Sequence, residues 1–580
     1  MGYIRKKYVI TDTDMLRDGK CPYSIVLSGR ASETEKFAAK ELATLFKEST
    51  GYILPVVGDE KANYDVKAYY FSIGETSLFE TLKKDPAFLN EETHPFGDNV
   101  RLFSKGNMIF FAGNGKGPIL SVYEFFAMHF GYKYYARDEY SVDKRTELKV
   151  PVFDVEYHPD FPRRALGFFD TERDETHINR LKLCNTLYSG WIAFAHTYFK
   201  LLPKSKYYDK HPSWYSPDGK NLCLSNSEMK EEFVKAVEEK IENSSEELFM
   251  LGQEDTFEFC SCEKCRKKIA EYGGRSSGLT MEFTNDVARE VGAWLKEKRI
   301  ERKVKFVAFA YKSTFEPPAR YDDAKGKYVP MKKAVKAEEN VAVMIVPYIA
   351  LYSASFIRGE MNKHIRDAMY GWQAVADDLM IWQYSTIFEN YMIPFNNFRF
   401  VKENYGALRD MGVSFLYDEG PHNSRICSFD SLRQYVQSAL LYGTDKTTEQ
   451  LIDEFCSAYY GEAAPCMKYV LEMQTAREYF NEGYYKKYCG YSFDSFRELM
   501  DGKLWTKEYL DLLEEIFSKA RKSIENSARK EILADRIEKE YLSVTFFRLR
   551  LYPETLADRE KTQKDFDELL KKHGIDRLSE

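Results

Sequence analysis

Glu254 and Asp255 stand side by side at the end of an apolar run, Phe249-Met250-Leu251-Gly252-Gln253, and Cys260, Cys262 and Cys265 follow at once. Adjacent carboxyls can divide acid and base work. One protonates a leaving oxygen while the other attacks or stabilises the positive carbon left behind, which is the chemistry of glycosidic bond cleavage. The thiol spacing is short enough for one metal ion, with Cys223 in Asn221-Leu222-Cys223-Leu224 as a fourth ligand from the preceding segment. Four thiolates make a closed structural zinc site that would pin the loop; unliganded thiols or, outside the cell, a disulfide fit the same spacing. No catalytic part is expected of the cysteines, and no catalytic cofactor is expected.

Such a pair needs a rigid support. From about residue 160 the sequence alternates short apolar strands with helical segments, the pattern of a parallel βα fold. Strands are predicted at 164–169, 186–191, 192–196, 248–253, 304–310, 341–347, 378–384 and 413–417. Eight units over roughly 270 residues is the size of a (β/α)8 TIM barrel, in which active sites gather at the C-terminal strand ends. Those ends present Asp170, Trp191, His196, Glu254 with Asp255, Tyr311, Tyr348, Trp382 with Tyr384, and Asp418 with Glu419. The polar and aromatic loop around Glu389-Asn390-Tyr391 and Pro394-Phe395-Asn396-Asn397 follows the seventh predicted strand and would shape a cleft. No Ser/His/Asp or Cys/His arrangement and no dinucleotide fingerprint competes with this constellation.

The predicted fold class is therefore α/β, with three parts: an α+β domain over 1–155, the barrel over 156–444 and a helical region over 445–580. In the first, Ser32 and Glu35 form a capping box ahead of Phe37, Ala38, Leu42, Leu45 and Phe46, and Gly51 stops the helix. Strands are predicted at 68–73, 99–104 and 107–112, then a helix from about 118 to Gly131. Gly113-Asn114-Gly115-Lys116-Gly117 lacks the ending and spacing of a phosphate loop and reads as a turn. In the last part Leu451, Ile452, Phe455, Tyr459 and later Tyr509, Leu512, Leu513, Ile516 recur at helical spacing, with Gly461 and Gly574 as stops.

Composition narrows the partners. At 580 residues the chain is too long for one core. Aromatic residues make up 15%, which suits a sugar cleft because pyranose C–H faces stack on rings. A net charge of -7 and no basic stripe argue against nucleic acid. No apolar segment follows the N-terminal charges and no run of about 18 apolar residues occurs, so no membrane partner is expected. The chain reads as soluble, either cytoplasmic or shorn of a signal.

Two resemblances add to this reading. Ala31-Ser32-Glu33 to Gly51, then Ser121-Val122-Tyr123-Glu124-Phe125 with Gly131-Tyr132, resembles the domain that precedes the barrels of α-glucuronidases and β-hexosaminidases. Ala195-His196-Thr197, His211-Pro212-Ser213-Trp214, Asp218-Gly219-Lys220, Leu222-Cys223-Leu224-Ser225-Asn226 and the Cys260, Cys262, Cys265 motif are similar to glycoside hydrolase family 163. So are Ala310-Tyr311, Pro317-Pro318, Trp382-Gln383-Tyr384 and Tyr459-Tyr460-Gly461. That family comprises endo-β-N-acetylglucosaminidases acting on N-glycans. The resemblance implies a retaining, substrate-assisted hydrolase in which the sugar's own acetamide oxygen attacks its anomeric carbon. Glu254 would then be the general acid/base, Asp255 the carboxylate orienting the acetamide and Tyr384 a donor to its oxygen. Related hexosaminidases carry the pair as Asp then Glu, the reverse of the order here, so the two roles stay open to exchange. Asp418 and Glu419 form a reserve pair across the cleft, while His196, Trp191, Tyr311, Tyr348 and Trp382 line subsites. Two other classes fit the residues: a glycosidase for another sugar such as a uronic acid, with Arg163 and Arg164 as partners for its carboxylate, and a non-catalytic glycan-binding barrel.

Overall fold

The computed structural model describes residues 2–84, 97–184, 191–395, 397–488 and 500–580. The N-terminal part is a mixed seven-stranded sheet. Its strands are β1 (Gly2–Leu16), β2 (Ser24–Leu27), β3 (Val56–Gly58), β4 (Tyr70–Ile73), β5 (Val100–Lys105), β6 (Met108–Ala112) and β9 (Leu148–His158), in the order β1-β9-β5-β6-β4-β2-β3. The hairpin β7 (Lys133–Ala136) and β8 (Glu139–Ser141) stands apart from it. The expected capping box is present: Ser32 Oγ accepts from the Glu35 N–H, and Glu35 accepts from the Ser32 N–H at 2.7 Å. Helix Glu33–Thr50 ends on Gly51 with φ 75°, the left-handed conformation that glycine adopts without penalty. Residues 113–117 form the expected turn, and Lys116 is buried with its Nζ on Asn179 Oδ1 and the Leu183 carbonyl.

A second sheet holds the predicted acidic strand. Its seven strands are β10 (Arg163–Gly167), β11 (Trp191–Ala193), β12 (Leu248–Leu251), β13 (Lys305–Ala310), β16 (Val341–Ile345), β17 (Leu379–Tyr384) and β18 (Val413–Glu419). The hairpin β14 (Ala319–Asp322) and β15 (Lys327–Pro330) is an excursion after β13. All seven pair in parallel, in the order β10-β18-β17-β16-β13-β12-β11, so the last strand returns to the first and the sheet curls into a barrel-like wall. Among the described residues β10 and β11 are not joined. The strand predicted at 186–191 falls mostly on 185–190, outside the described residues, and the one predicted at 192–196 is the short β11.

Parallel sheets covered by helices bury both faces, which explains runs such as Leu248-Phe249-Met250-Leu251. All four are essentially inaccessible, and burying a side chain of this size is worth about 1.5–3 kcal/mol. The C-terminal helices Thr448–Tyr460, Lys507–Ser523 and Lys530–Leu551 turn their apolar stripes inward, joined to the same core as the sheet. Gly461 and Gly574 follow helices with positive φ, as expected. No described helix is long and apolar enough to cross a membrane.

Candidate active site

The strand register sets what faces the mouth. Side chains alternate between the two faces of a strand, so Trp382 and Tyr384 on β17 share the interior face with Tyr417 and Glu419 on β18. Gln383 and Asp418 point the other way, toward the helices. An aromatic wall runs across the interior: Tyr348 meets Tyr311 edge-on at 5.3 Å, Tyr311 stacks on Phe309 at 5.2 Å, and Phe309 stacks on Trp382 at 5.9 Å. Phe194 continues it, stacked on Trp382 at 5.1 Å, and His196 leans on both Phe309 and Tyr311.

Beyond β12 the chain is held on both sides. Gln253 is buried and donates to the Tyr311 carbonyl and Thr314 Oγ1, while its own carbonyl meets His196 Nδ1 at 2.5 Å. The Glu254 N–H donates to Asn221 Oδ1 at 3.0 Å, and Glu254 Oε1 accepts from the Phe199 N–H at 2.9 Å. Asp255 turns toward β13 and pairs with Lys312 at 2.6 Å. Partial burial pushes the Asp255 carboxyl up, but the hydrogen bond and charge of Lys312, with His196 and the Tyr311 hydroxyl, outweigh it and hold the carboxyl below its ordinary range. Adjacent residues thus serve neighbouring strands: Glu254 faces the β11 loop and Asp255 the β13 loop.

Glu419 is the opposite case. Its side chain is 12% exposed, and Trp382 Nε1 donates to its Oε2 at 2.8 Å. His422 Nδ1 lies 3.4 Å from its Oε1. Burial pushes the Glu419 carboxyl up to about 8, despite the Trp382 hydrogen bond. Tyr311 and Tyr384 each lie within electrostatic reach of both Asp255 and Glu419, so a low and a high carboxyl share one mouth.

Several expectations are corrected. Asp418 is 0% exposed and lies behind the wall, where Gln383, Ser385, Tyr405 and Gln437 engage its oxygens; strand alternation removes it from any sugar. Trp191 is 6% exposed and packs on Phe194 and Phe415, beneath the floor. Arg163 and Arg164 open β10, at the end of the sheet opposite the mouth. Arg163 lies 3.7 Å from Glu247, and Arg164, fully buried, pairs with Asp98, so neither can meet a substrate carboxylate. Asp170 is held by Arg425 and Arg137. Tyr384 is nearly buried at the mouth, close to Phe388. His196, Tyr311, Tyr348 and Trp382 lie together along the aromatic wall.

Sequence reasoning missed Glu172 and Lys312. Burial pushes Glu172, in the loop after β10, up to about 7 against the pull of Arg173. Its signal was an acid two residues past a strand-end aspartate already noticed. Lys312 follows Tyr311 directly and gains meaning only through its contact with Asp255. The four predicted thiols do converge, with every Sγ within 4.8 Å of the others.

A solved family GH115 4-O-methyl-α-glucuronidase with specificity for decorated arabinogalactans is similar over 97% of this chain and 77% of its own, with a TM-score of 0.54 at 10% identity. A β-N-acetylhexosaminidase from Bacteroides fragilis NCTC 9343 covers 81% of this chain and 94% of its own, with a TM-score of 0.42 at 11% identity. No curated protein matches in sequence. Residues 134–472, more than half of the chain, match the family described as "Domain of unknown function (DUF4838)". The match spans β7 through β18 and the first C-terminal helix, so the residues of this mouth lie within it and the chain belongs to the DUF4838 family.

Proposed function

We propose that the protein is a glycoside hydrolase whose cleft is the mouth of a (β/α)8 barrel. The observation that carries the reading is the split between carboxyls: Asp255 held low by Lys312, and Glu419 raised to about 8, before one aromatic wall. Titratable groups whose surroundings drive their pKa values apart are suited to opposite roles in acid/base chemistry. Glu419, protonated at neutral pH, gives its proton to the leaving glycosidic oxygen. Asp255, ionised, steadies the positive charge that develops as that bond breaks.

The substrate class proposed is a 2-acetamido sugar of an N-glycan, cleaved within the chain with retention. The acetamide oxygen attacks its own anomeric carbon while Asp255 holds the acetamide N–H and Tyr384 its oxygen. Water then opens the cyclised intermediate, and Glu419, now ionised, takes its proton back from that water. The sequence pattern favours Glu254 as the acid; one of its oxygens accepts from the Phe199 N–H, and the reading proposed here moves the proton donor to Glu419. The uronic acid reading loses support, because Arg163 and Arg164 lie at the far end of the sheet.

Mass spectrometry of N-glycans before and after incubation tests the proposal. The wild type is expected to release glycan, and Glu419→Gln and Asp255→Asn to lose about 10²–10⁴-fold in rate. Glycan bound but not cleaved by the wild type would make this a binding barrel. Loss in Glu254→Gln with Glu419→Gln intact would return the acid role to Glu254.

A further inference from the structure

The thiols behind the acidic loop come from two separate segments. Cys223 follows the bridge between Tyr215 and Leu222 and sits just ahead of helix Ser227–Glu242, which Asn226 caps. Cys260 and Cys262 lie in the loop after β12; Cys262 caps helix Glu263–Ala270, and Cys265 sits in its first turn. Cys223 Sγ is 3.6 Å from Cys262 Sγ and 3.8 Å from Cys265 Sγ. Four thiolates held tetrahedrally at about 2.3 Å from a zinc ion stand about 3.8 Å apart, which the two Cys223 separations match while every pair stays within 4.8 Å. A disulfide needs sulfurs at about 2.05 Å, well inside these separations. Iron–sulfur clusters, with inorganic sulfide between the metals, hold their cysteines further apart than this group allows.

The surroundings fit an anionic centre. The Cys265 N–H donates to Cys262 Sγ at 3.4 Å, and Ser225 Oγ lies 3.2 Å from Cys265 Sγ, placed to donate once that sulfur is a thiolate. Cys223, Cys260 and Cys265 are buried and Cys262 is half-buried, so little water reaches the centre. We propose that Cys223, Cys260, Cys262 and Cys265 bind one zinc ion as a closed tetrathiolate, and that the ion fastens the loop carrying Glu254 and Asp255 to the segment before helix Ser227–Glu242.

With four protein ligands the ion has no open position for substrate or water, so its part is structural. The clamp works beside a set of hydrogen bonds between the same two segments. Asn221, two residues before Cys223, accepts from the Glu254 N–H and donates to the Glu258 carbonyl, and Lys220 pairs with Glu258 at 2.9 Å. Exposed contacts of the Lys220 type are weak and screened by salt. The metal would supply the durable link. This inference rests on the thiols alone and holds whether or not the glycosidase reading does.

The test uses the full chain, purified without added metal and analysed by plasma mass spectrometry. About one zinc per chain is expected, with release of that zinc as an organomercurial titrates the thiols of the wild type; no variant needs to fold for this readout. Cobalt exchanged into the site should show thiolate-to-metal charge transfer and the intense visible bands of a tetrahedral ion, lost in Cys223→Ser and Cys265→Ser. Chelation should raise hydrogen exchange over 252–262 and leave helix Arg559–His573 unchanged. A chain that takes up no zinc when supplied with it, that carries iron instead, or that shows a disulfide among these residues overturns the site. Unchanged exchange over 252–262 after zinc loss overturns the clamp.

Discussion

Replacing Glu419 by glutamine should stabilise the protein in alkali while damaging its chemistry. In the fold the Glu419 carboxyl titrates at about 8, against an ordinary value of 4.5. Each pKa unit is worth about 1.4 kcal/mol, so the full displacement corresponds to about 5 kcal/mol, and relaxation of the site and water entry at the mouth reduce this to about 2 kcal/mol. The sign follows from which state keeps the proton. Between pH 4.5 and about 8 the unfolded chain has lost it and the native protein retains it, so rising pH erodes native stability across that window. Below the window both states are protonated and the carboxyl behaves as its amide isostere. Glu172, raised to about 7, leaves a residual slope in both proteins, so the quantity to read is their difference. Thermal unfolding followed by circular dichroism from pH 4 to pH 9 should show coincident melting temperatures in acid and a variant more stable by a few degrees at the alkaline end. Parallel curves over the whole range would refute the claim that burial holds Glu419 neutral.

Two other perturbations probe the mouth and the far end of the same sheet. Lys312→Met removes the cation that keeps Asp255 low, so the acid limb of kcat/KM should move to higher pH; Asp255 is 56% exposed, so solvent screening keeps the move small, and an unshifted limb would separate Asp255 from the reaction. Arg164→Met leaves Asp98 without its buried partner and should cost about 3–5 kcal/mol, seen as a lower melting temperature with KM unchanged. A raised KM there would revive the uronic acid reading.

Local chemistry in this sequence was legible where it is complete in a few residues. Ser32, Glu35 and Gly51 specify a helix start and stop by themselves, and the short unbroken apolar run Leu248-Phe249-Met250-Leu251 fits a strand buried on both faces, as it is. The long strand β1 is not legible in the sequence because its partner β9 lies far along the chain and its apolar residues do not alternate: the neighbours Val9 and Ile10 are both exposed, among charges. Asp418 and Glu419 are neighbours on one strand and so must face apart; the alternation that turns Asp418 toward the helices and Glu419 toward the mouth is already present in the sequence. Cys223 can be grouped with the three thiols of the following loop by residue type alone, and the four sulfurs do converge. Glu172 and Lys312 could not be found that way, since their significance comes from what other strands place next to them.

The most direct test of the central claim compares two leaving groups on one variant. A general acid matters for a sugar leaving group, which needs a proton, and little for a nitrophenolate, which leaves without one. Measured side by side as kcat/KM, which reads bond cleavage and not the later water step, Glu419→Gln is expected to lose about 10²–10⁴-fold on a natural N-glycan and to stay near the wild-type value on a nitrophenyl 2-acetamido glycoside. Equal losses on both substrates, or none on either, would contradict the assignment of Glu419 as the proton donor opposite Asp255.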